Sequence, residues 1–314
     1  MSFSFGSEPA GIPKPEQEYT GNPIMPGKGV CDPSVRIFNG KAYLYATHDS
    51  QPGAPERKGQ KGRNFHMVDW WVWSSTNLRD WKYECSLSPT ALGFPEGFKD
   101  CWAPDALGRN GKYYWYVCSP ENTYVVRSDT PTGPWEAPLG NKPLMRGRDP
   151  APFIDDDGEA YLITGVWIYD IAKLGSDMIS LAESPRKIVI NNPEGPSGKG
   201  KTDDKPYLHK RNGWYYLSWG CYYAMSRNIY GPYECKGSVL KPENIEKAME
   251  QQGWNSDRHG SFFEWRGQWY YIFNSTAVPQ SDICRDSAIV EVYYEDNGEI
   301  KPVHLTAKGV ALKH

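Results

Sequence analysis

Residues 38–46 read FNGKAYLYA, and the pattern returns as RNGKYYWYV at 109–117, DDGEAYLIT at 156–164, RNGWYYLSW at 211–219 and WRGQWYYIF at 265–273. Each copy sets a turn glycine (Gly40, Gly111, Gly158, Gly213, Gly267) before an aromatic and aliphatic run with strand character. An Asn-Gly or Asp-Gly step followed by such a run is the signal of a tight hairpin feeding a strand. The glycines are 71, 47, 55 and 54 residues apart. Those periods fit sheets of about four antiparallel strands arranged as propeller blades. The predicted fold is therefore all-β, a five-bladed β-propeller. Segments that follow several hairpins, SSTNLRDWKYE from Ser74, RSDTPTGPWEAP from Arg127 and SRNIYGPYECKG from Ser226, are expected to form outer strands of their blades.

Composition agrees with that class. Thirteen Trp and 21 Tyr accompany 31 Gly and 26 Pro in 314 residues, a mix that favours short strands and tight turns over helices. No Pro/Gly/Ser linker interrupts the repeats, so residues 1–314 are expected to form a single domain, with residues 1–29 an extended segment that helps close the ring. The formal charge of −3, with scattered Lys and Arg, offers no electrostatic footprint for nucleic acid or a membrane surface. The first 20 residues lack a basic stretch followed by an apolar one, which reads as no export signal. The expected location is the cytoplasm, or outside it if the chain is a processed mature form. Seven cysteines without a CxxC pair suit neither a zinc site nor a complete disulfide framework.

Stepping back from each turn glycine reaches the start of the innermost strand, where polar residues recur. Asp32, Asp105, Asp149, Asp204 and His259 lie 8, 6, 9, 9 and 8 residues before their glycines. Innermost strands converge on the propeller axis, so these side chains are expected to meet in one pocket. Carboxyl groups crowded there would shift one another's pKa values and so supply both an acid and a base. Glycoside hydrolysis needs that pair, one carboxyl to protonate the leaving oxygen and one carboxylate to activate water. Trp102 is a candidate platform for a sugar ring, while Trp70, Trp71 and Trp73 read mainly as core.

At these segments the chain resembles glycoside hydrolase family 43, from about residue 29 to the C-terminus. CDPSVRIFNGKAYLYATHD resembles the family's first motif, RDPAPFIDDDGEAYLITG its central one, and CWAPDALGRNGKYYWY its WAPD segment. HGSFFEWRGQWYYIF and RDSAIVEVYYEDNGEIKPV resemble its last blade. The resemblance implies Asp32 as the general base and Asp149 as the residue that orients the acid and raises its pKa. It also implies an inverting, most often exo-acting, α-L-arabinofuranosidase or β-xylosidase acting on plant-type polysaccharide or oligosaccharide. The family's acid is a Glu in an EGPxxxK segment just before the fourth hairpin. Here Glu194 copies EGP but stands 19 residues before Gly213, whereas Asp204, Pro206 and Lys210 keep the register with Asp in place of Glu. Asp204 is the preferred acid and Glu194 the alternative. Because that segment is atypical, a sugar-binding propeller with weak or lost catalysis is the competing reading.

Trp102, Asp105, His48 and Arg285 are the candidate substrate-binding residues; Arg285 resembles a family arginine near the active site. His259 resembles a family histidine on the axis, which implies contact, through water, with a structural Ca²⁺ there. No cofactor is otherwise expected.

Overall fold

The computed structural model describes residues 21–50, 66–245, 259–275 and 285–310. Four of the five repeats close as two-residue hairpins in which both turn residues are left-handed: Asn39–Gly40 (φ 51 and 76°), Asn110–Gly111 (52 and 73°), Asn212–Gly213 (50 and 71°) and Arg266–Gly267 (52 and 76°). This turn matches the right-handed twist of the strands it joins, which is why Asn-Gly is favoured there. The third hairpin is longer. Asp155 N–H donates to Glu159 O and Gly158 N–H to Asp155 O, so three residues make its turn.

Each hairpin is the inner half of a blade. Blade 1 is Val30–Phe38, Lys41–Asp49, Met67–Ser75 and Lys82–Leu87. Blade 2 is Trp102–Arg109, Lys112–Cys118, Asn122–Ser128 and Met145–Arg146, and blade 3 is Ala151–Ile154, Ala160–Val166, Ile168–Lys173 and Arg186–Lys187. Blade 4 is Pro206–Arg211, Trp214–Trp219, Tyr222–Ser226 and Tyr233–Ser238, with Ile190–Asn191 added in parallel outside. Blade 5 is Gly260–Trp265, Gln268–Ser275 and Asp286–Val292. The expected outer strands are present in blades 1 and 4. In blade 2 that segment contributes only an Arg127–Glu136 bridge, and Met145–Arg146 is the fourth strand.

Strand side chains alternate between the two faces of a blade, so each blade supplies half of two different cores. The buried apolar residues accordingly form five clusters, each shared by successive blades. Trp115 packs with Tyr45 between blades 1 and 2, whereas its neighbours Tyr114 and Tyr116 pack with Leu162 between blades 2 and 3. The cluster containing Leu44, Trp71, Phe263 and Ile272 joins blade 5 to blade 1 and closes the ring. The N-terminal segment lies along blade 5: Ile24 N–H donates to Ser287 O at 2.8 Å, and buried Asn22 bonds the main chain of Ile289 and Thr306. The segment between His48 and Asp69, whose Gly, Lys and Gln content reads as a loop, lies largely outside the described residues. No described helix is long and apolar enough to cross a membrane. The six described cysteines are free thiols.

Candidate active site

Counting back from the residue that closes each hairpin aligns the inner strands. Six residues before the closing residue stand Asp32, Ala103, Asp149, Lys205 and His259. Pro33, Pro104, Pro150, Pro206 and Gly260 follow them. Asp32, Asp149 and Lys205 have left-handed φ of 48, 58 and 54°, an unusual conformation that clusters where function needs it. The repeated kink turns each of these residues out of the ladder at the mouth of the axis.

This register corrects one step of the sequence reading. Asp204 and Asp149 both lie 9 residues before their glycines, but the third turn is one residue longer. The counterpart of Asp149 is therefore Lys205. Its N–H donates to Asp149 Oδ2 at 3.0 Å, and its buried ammonium runs down the axis to Ser34 Oγ (3.1 Å) and Pro104 O (3.0 Å). Asp204, one residue earlier, still reaches the cluster through His259.

Asp32 is buried and held by three residues. His259 Nδ1 (2.8 Å), Asn274 Nδ2 (2.8 Å) and Arg285 Nη1 (2.9 Å) converge on its Oδ1, while Arg285 Nη2 approaches Oδ2 at 3.1 Å. Burial alone would raise this carboxyl, but Arg285, then His259 and Asn274, hold it far below the usual carboxylate range. Arg285 is 1% exposed and also grips Asp49, through Nε to Oδ2 at 2.9 Å and Nη2 to Oδ1 at 3.1 Å. One guanidinium thus fixes two buried carboxylates.

His259 joins the two sides of the site: its Nδ1 faces Asp32, and its Nε2 shares a short hydrogen bond with Asp204 Oδ1. Because Asp32 is ionised, Nδ1 carries a proton towards it. A second proton must stand between Nε2 and Asp204, as imidazolium facing carboxylate or as imidazole facing carboxylic acid. Burial and then the charge of Asp204 push the Asp149 carboxyl up to about 6. Against its own burial, Asp204 is held below the usual range by His259. The three carboxyl groups therefore differ in proton affinity, which is the condition for dividing acid and base roles.

The remaining predicted residues separate. Trp102 is half-buried at the rim, with the Arg148 guanidinium 4.4 Å above its ring. Asp105 does not join the pocket: it aligns with Ser34 rather than Asp32, is fully buried, and gives its oxygens to Arg36 Nε (2.9 Å) and Nη2 (2.5 Å). Its strand offset of 6 rather than 8 places it deeper along the axis, where it pins blade 2 to blade 1. His48 stacks on Trp71 at 3.6 Å and bonds Asp69 through Nδ1 at 2.5 Å, apart from the carboxyl cluster. Glu194 lies in a short hairpin, Glu194–Gly195 with Gly198–Lys199, anchored where its main-chain O accepts Trp219 Nε1 at 2.9 Å.

Both ring nitrogens of His259 are engaged by carboxylates, and the described residues contain no group of His, Cys, Asp or Glu arranged to hold a metal ion. The arrangement does not fit an axial calcium approached by His259. Asn274, Asp49 and Arg148 are site residues that the sequence reading missed. Arg148 precedes Asp149 directly, so adjacency was its signal; Asp49 is the last and Asn274 the penultimate residue of its strand, and neither carries a comparable mark.

A model described as glycosyl hydrolases family 43 matches residues 20–300. The chain is similar to a xylosidase/arabinosidase of Bacteroides ovatus, 28% identical over 91% of this chain and 97% of that protein. It is likewise similar to a beta-xylosidase of Xylanibacter ruminicola, 28% identical over 89% of this chain and 98% of the relative. Among solved structures, a family 43 beta-xylosidase/alpha-arabinofuranosidase from a compost microbial metagenome, in complex with xylotriose, superposes with a TM-score of 0.73. The two are 26% identical, and the match covers 90% of this chain and 96% of the other.

Proposed function

The chain belongs to glycosyl hydrolases family 43 and is an inverting glycoside hydrolase, and from that premise we propose that it releases β-D-xylose or α-L-arabinofuranose from the ends of plant-type oligosaccharides. Asp32 activates the attacking water, Asp204 protonates the leaving oxygen, and Asp149 sets the proton affinity of Asp204.

The observation that carries this reading is the His259 bridge. Two hydrogen bonds and one imidazole ring put the facing oxygens of Asp32 and Asp204 roughly 7 Å apart. An inverting pair needs about 6.5–9.5 Å so that water fits opposite the leaving group. Three donors crowd Asp32 Oδ1 and one approaches Oδ2, which leaves Oδ2 the better acceptor for a water proton. A strongly stabilised carboxylate is a weak base. It suffices here because water attacking an oxocarbenium-like carbon becomes acidic as the new bond forms. On the other side, the proton shared between His259 Nε2 and Asp204 Oδ1 is the one that Asp204 can pass to the leaving oxygen. Support for Glu194 as the acid is weaker, because its observed anchor is a main-chain oxygen and not a bond into the cluster.

A screen of nitrophenyl glycosides that includes the β-D-xyloside and α-L-arabinofuranoside tests the substrate class. In the same assay Asp32→Asn is expected to lower kcat by about 10²–10⁴-fold, with an unchanged circular dichroism spectrum. Near-parental hydrolysis by that variant would remove Asp32 from the mechanism. Oligosaccharide binding without turnover by the parent would favour a sugar-binding propeller instead.

A further inference from the structure

Trp167 is 65% exposed, the most exposed large apolar side chain among the described residues. It occupies the single-residue turn between Ala160–Val166 and Ile168–Lys173, with a left-handed φ of 60°. A bulky residue rarely adopts that conformation, so the surrounding structure must hold it. Thr202 Oγ1 donates to Trp167 O at 2.7 Å, Trp167 N–H donates to Asp203 O at 3.1 Å, and Tyr169 Oη donates to the same oxygen at 2.6 Å. Gly165 admits the tight turn: a Cβ there would lie 2.3 Å from Ile168 O. Three hydrogen bonds thus maintain a strained turn whose product is an indole in solvent, fastened to the residue immediately before Asp204.

From this we infer that Trp167 is the stacking platform for the sugar ring on the leaving-group side of the scissile bond, so that it selects oligosaccharides over glycosides with small leaving groups. The inference rests on the assignment of Asp204 as the acid, because the leaving oxygen must sit at that carboxyl and the ring it carries then extends over the neighbouring rim. An exposed indole offers such a ring a flat apolar face at little entropic cost. Nothing in blade 3 needs Trp167 for packing, since the core between blades 3 and 4 is filled by Tyr169, Ile171, Leu217 and Trp219.

The test compares the parent, Trp167→Ala and Trp167→Phe on two substrates: an oligosaccharide of the sugar selected by the nitrophenyl screen, and the glycosyl fluoride of that sugar, whose leaving group has no ring to stack. Trp167→Ala is expected to lower kcat/KM on the oligosaccharide by about tenfold, with most of the loss restored in Trp167→Phe. Both variants should hydrolyse the fluoride near the parental rate. An unchanged oligosaccharide kcat/KM, or an equal loss on the fluoride, would overturn the platform. If the parent hydrolyses neither substrate, the functional reading fails separately. Calorimetric binding of xylo-oligosaccharides then decides the platform: weaker binding by Trp167→Ala supports it, and equal binding overturns it.

Discussion

His259 bridges Asp32 and Asp204, Arg285 grips Asp32, and Asp149 receives the Lys205 N–H; these neighbours set which carboxyl keeps a proton. Asp32 is ionised because Arg285 and His259 compensate its burial; Asp149 is raised because burial and Asp204 oppose its charge. As pH rises past about 6 the Asp149 carboxyl loses its proton, which places a limb of the kcat/KM profile there. Asp149→Asn deletes a negative charge beside Asp204. That limb should then disappear from the profile, together with a fall in kcat. A pH–rate profile of the two proteins checks this; a limb that stays in place would separate Asp149 from the acid. Asp32 and Asp149 were legible from sequence because each stands before a proline at a fixed distance from a turn. Asn274 and Asp49 were not, since a hydrogen bond between distant strands leaves no pattern along the chain.

At the scale of the strand, the turn glycines proved a reliable ruler wherever the turn has two residues. Offsets of 8 locate Asp32 and His259, and the same count finds Ala103 and Lys205, which carry no acid to mark them. The ruler failed at DDGEAYLIT, where the extra turn residue made Asp204 look level with Asp149. The letters Asp-Asp-Gly fit a two-residue and a three-residue turn alike, and the closing hydrogen bond decides between them. Asp105 went astray for the opposite reason: its offset of 6 was the correct clue, and it marks a position two residues further along the strand, where Arg36 waits in the next blade. The blade repeat was therefore readable, and the counts lead to Asp32, Asp204 and His259, which lie in one line of hydrogen bonds, while Asp105 lies outside it. Trp167 was invisible, since its meaning depends on an exposure and a backbone angle that only the folded turn creates.

The whole ring depends on joining its first and last blades, and Asn22 is a buried part of that seam. Its amide donates to Ile289 O and Thr306 O, both at 2.9 Å, and accepts Ile289 N–H at 2.8 Å. Asn22→Ala strands buried main-chain groups and should cost about 3 kcal/mol in urea denaturation while leaving kcat intact below the transition. An unchanged midpoint would mean that the seam is carried by the apolar cluster alone. Closure is also what brings Asp32 from blade 1, Asp204 before blade 4 and His259 at blade 5 into one line of hydrogen bonds. The most direct test of that line as a base-and-acid pair is the dependence on leaving group. Asp204→Asn should hydrolyse an oligosaccharide about 10²–10⁴-fold more slowly than the parent, yet retain much of the rate on a dinitrophenyl glycoside, whose leaving group needs no proton. Glu194→Gln should keep both rates; if Glu194→Gln shows that selective loss and Asp204→Asn does not, the acid is Glu194 and the account is contradicted.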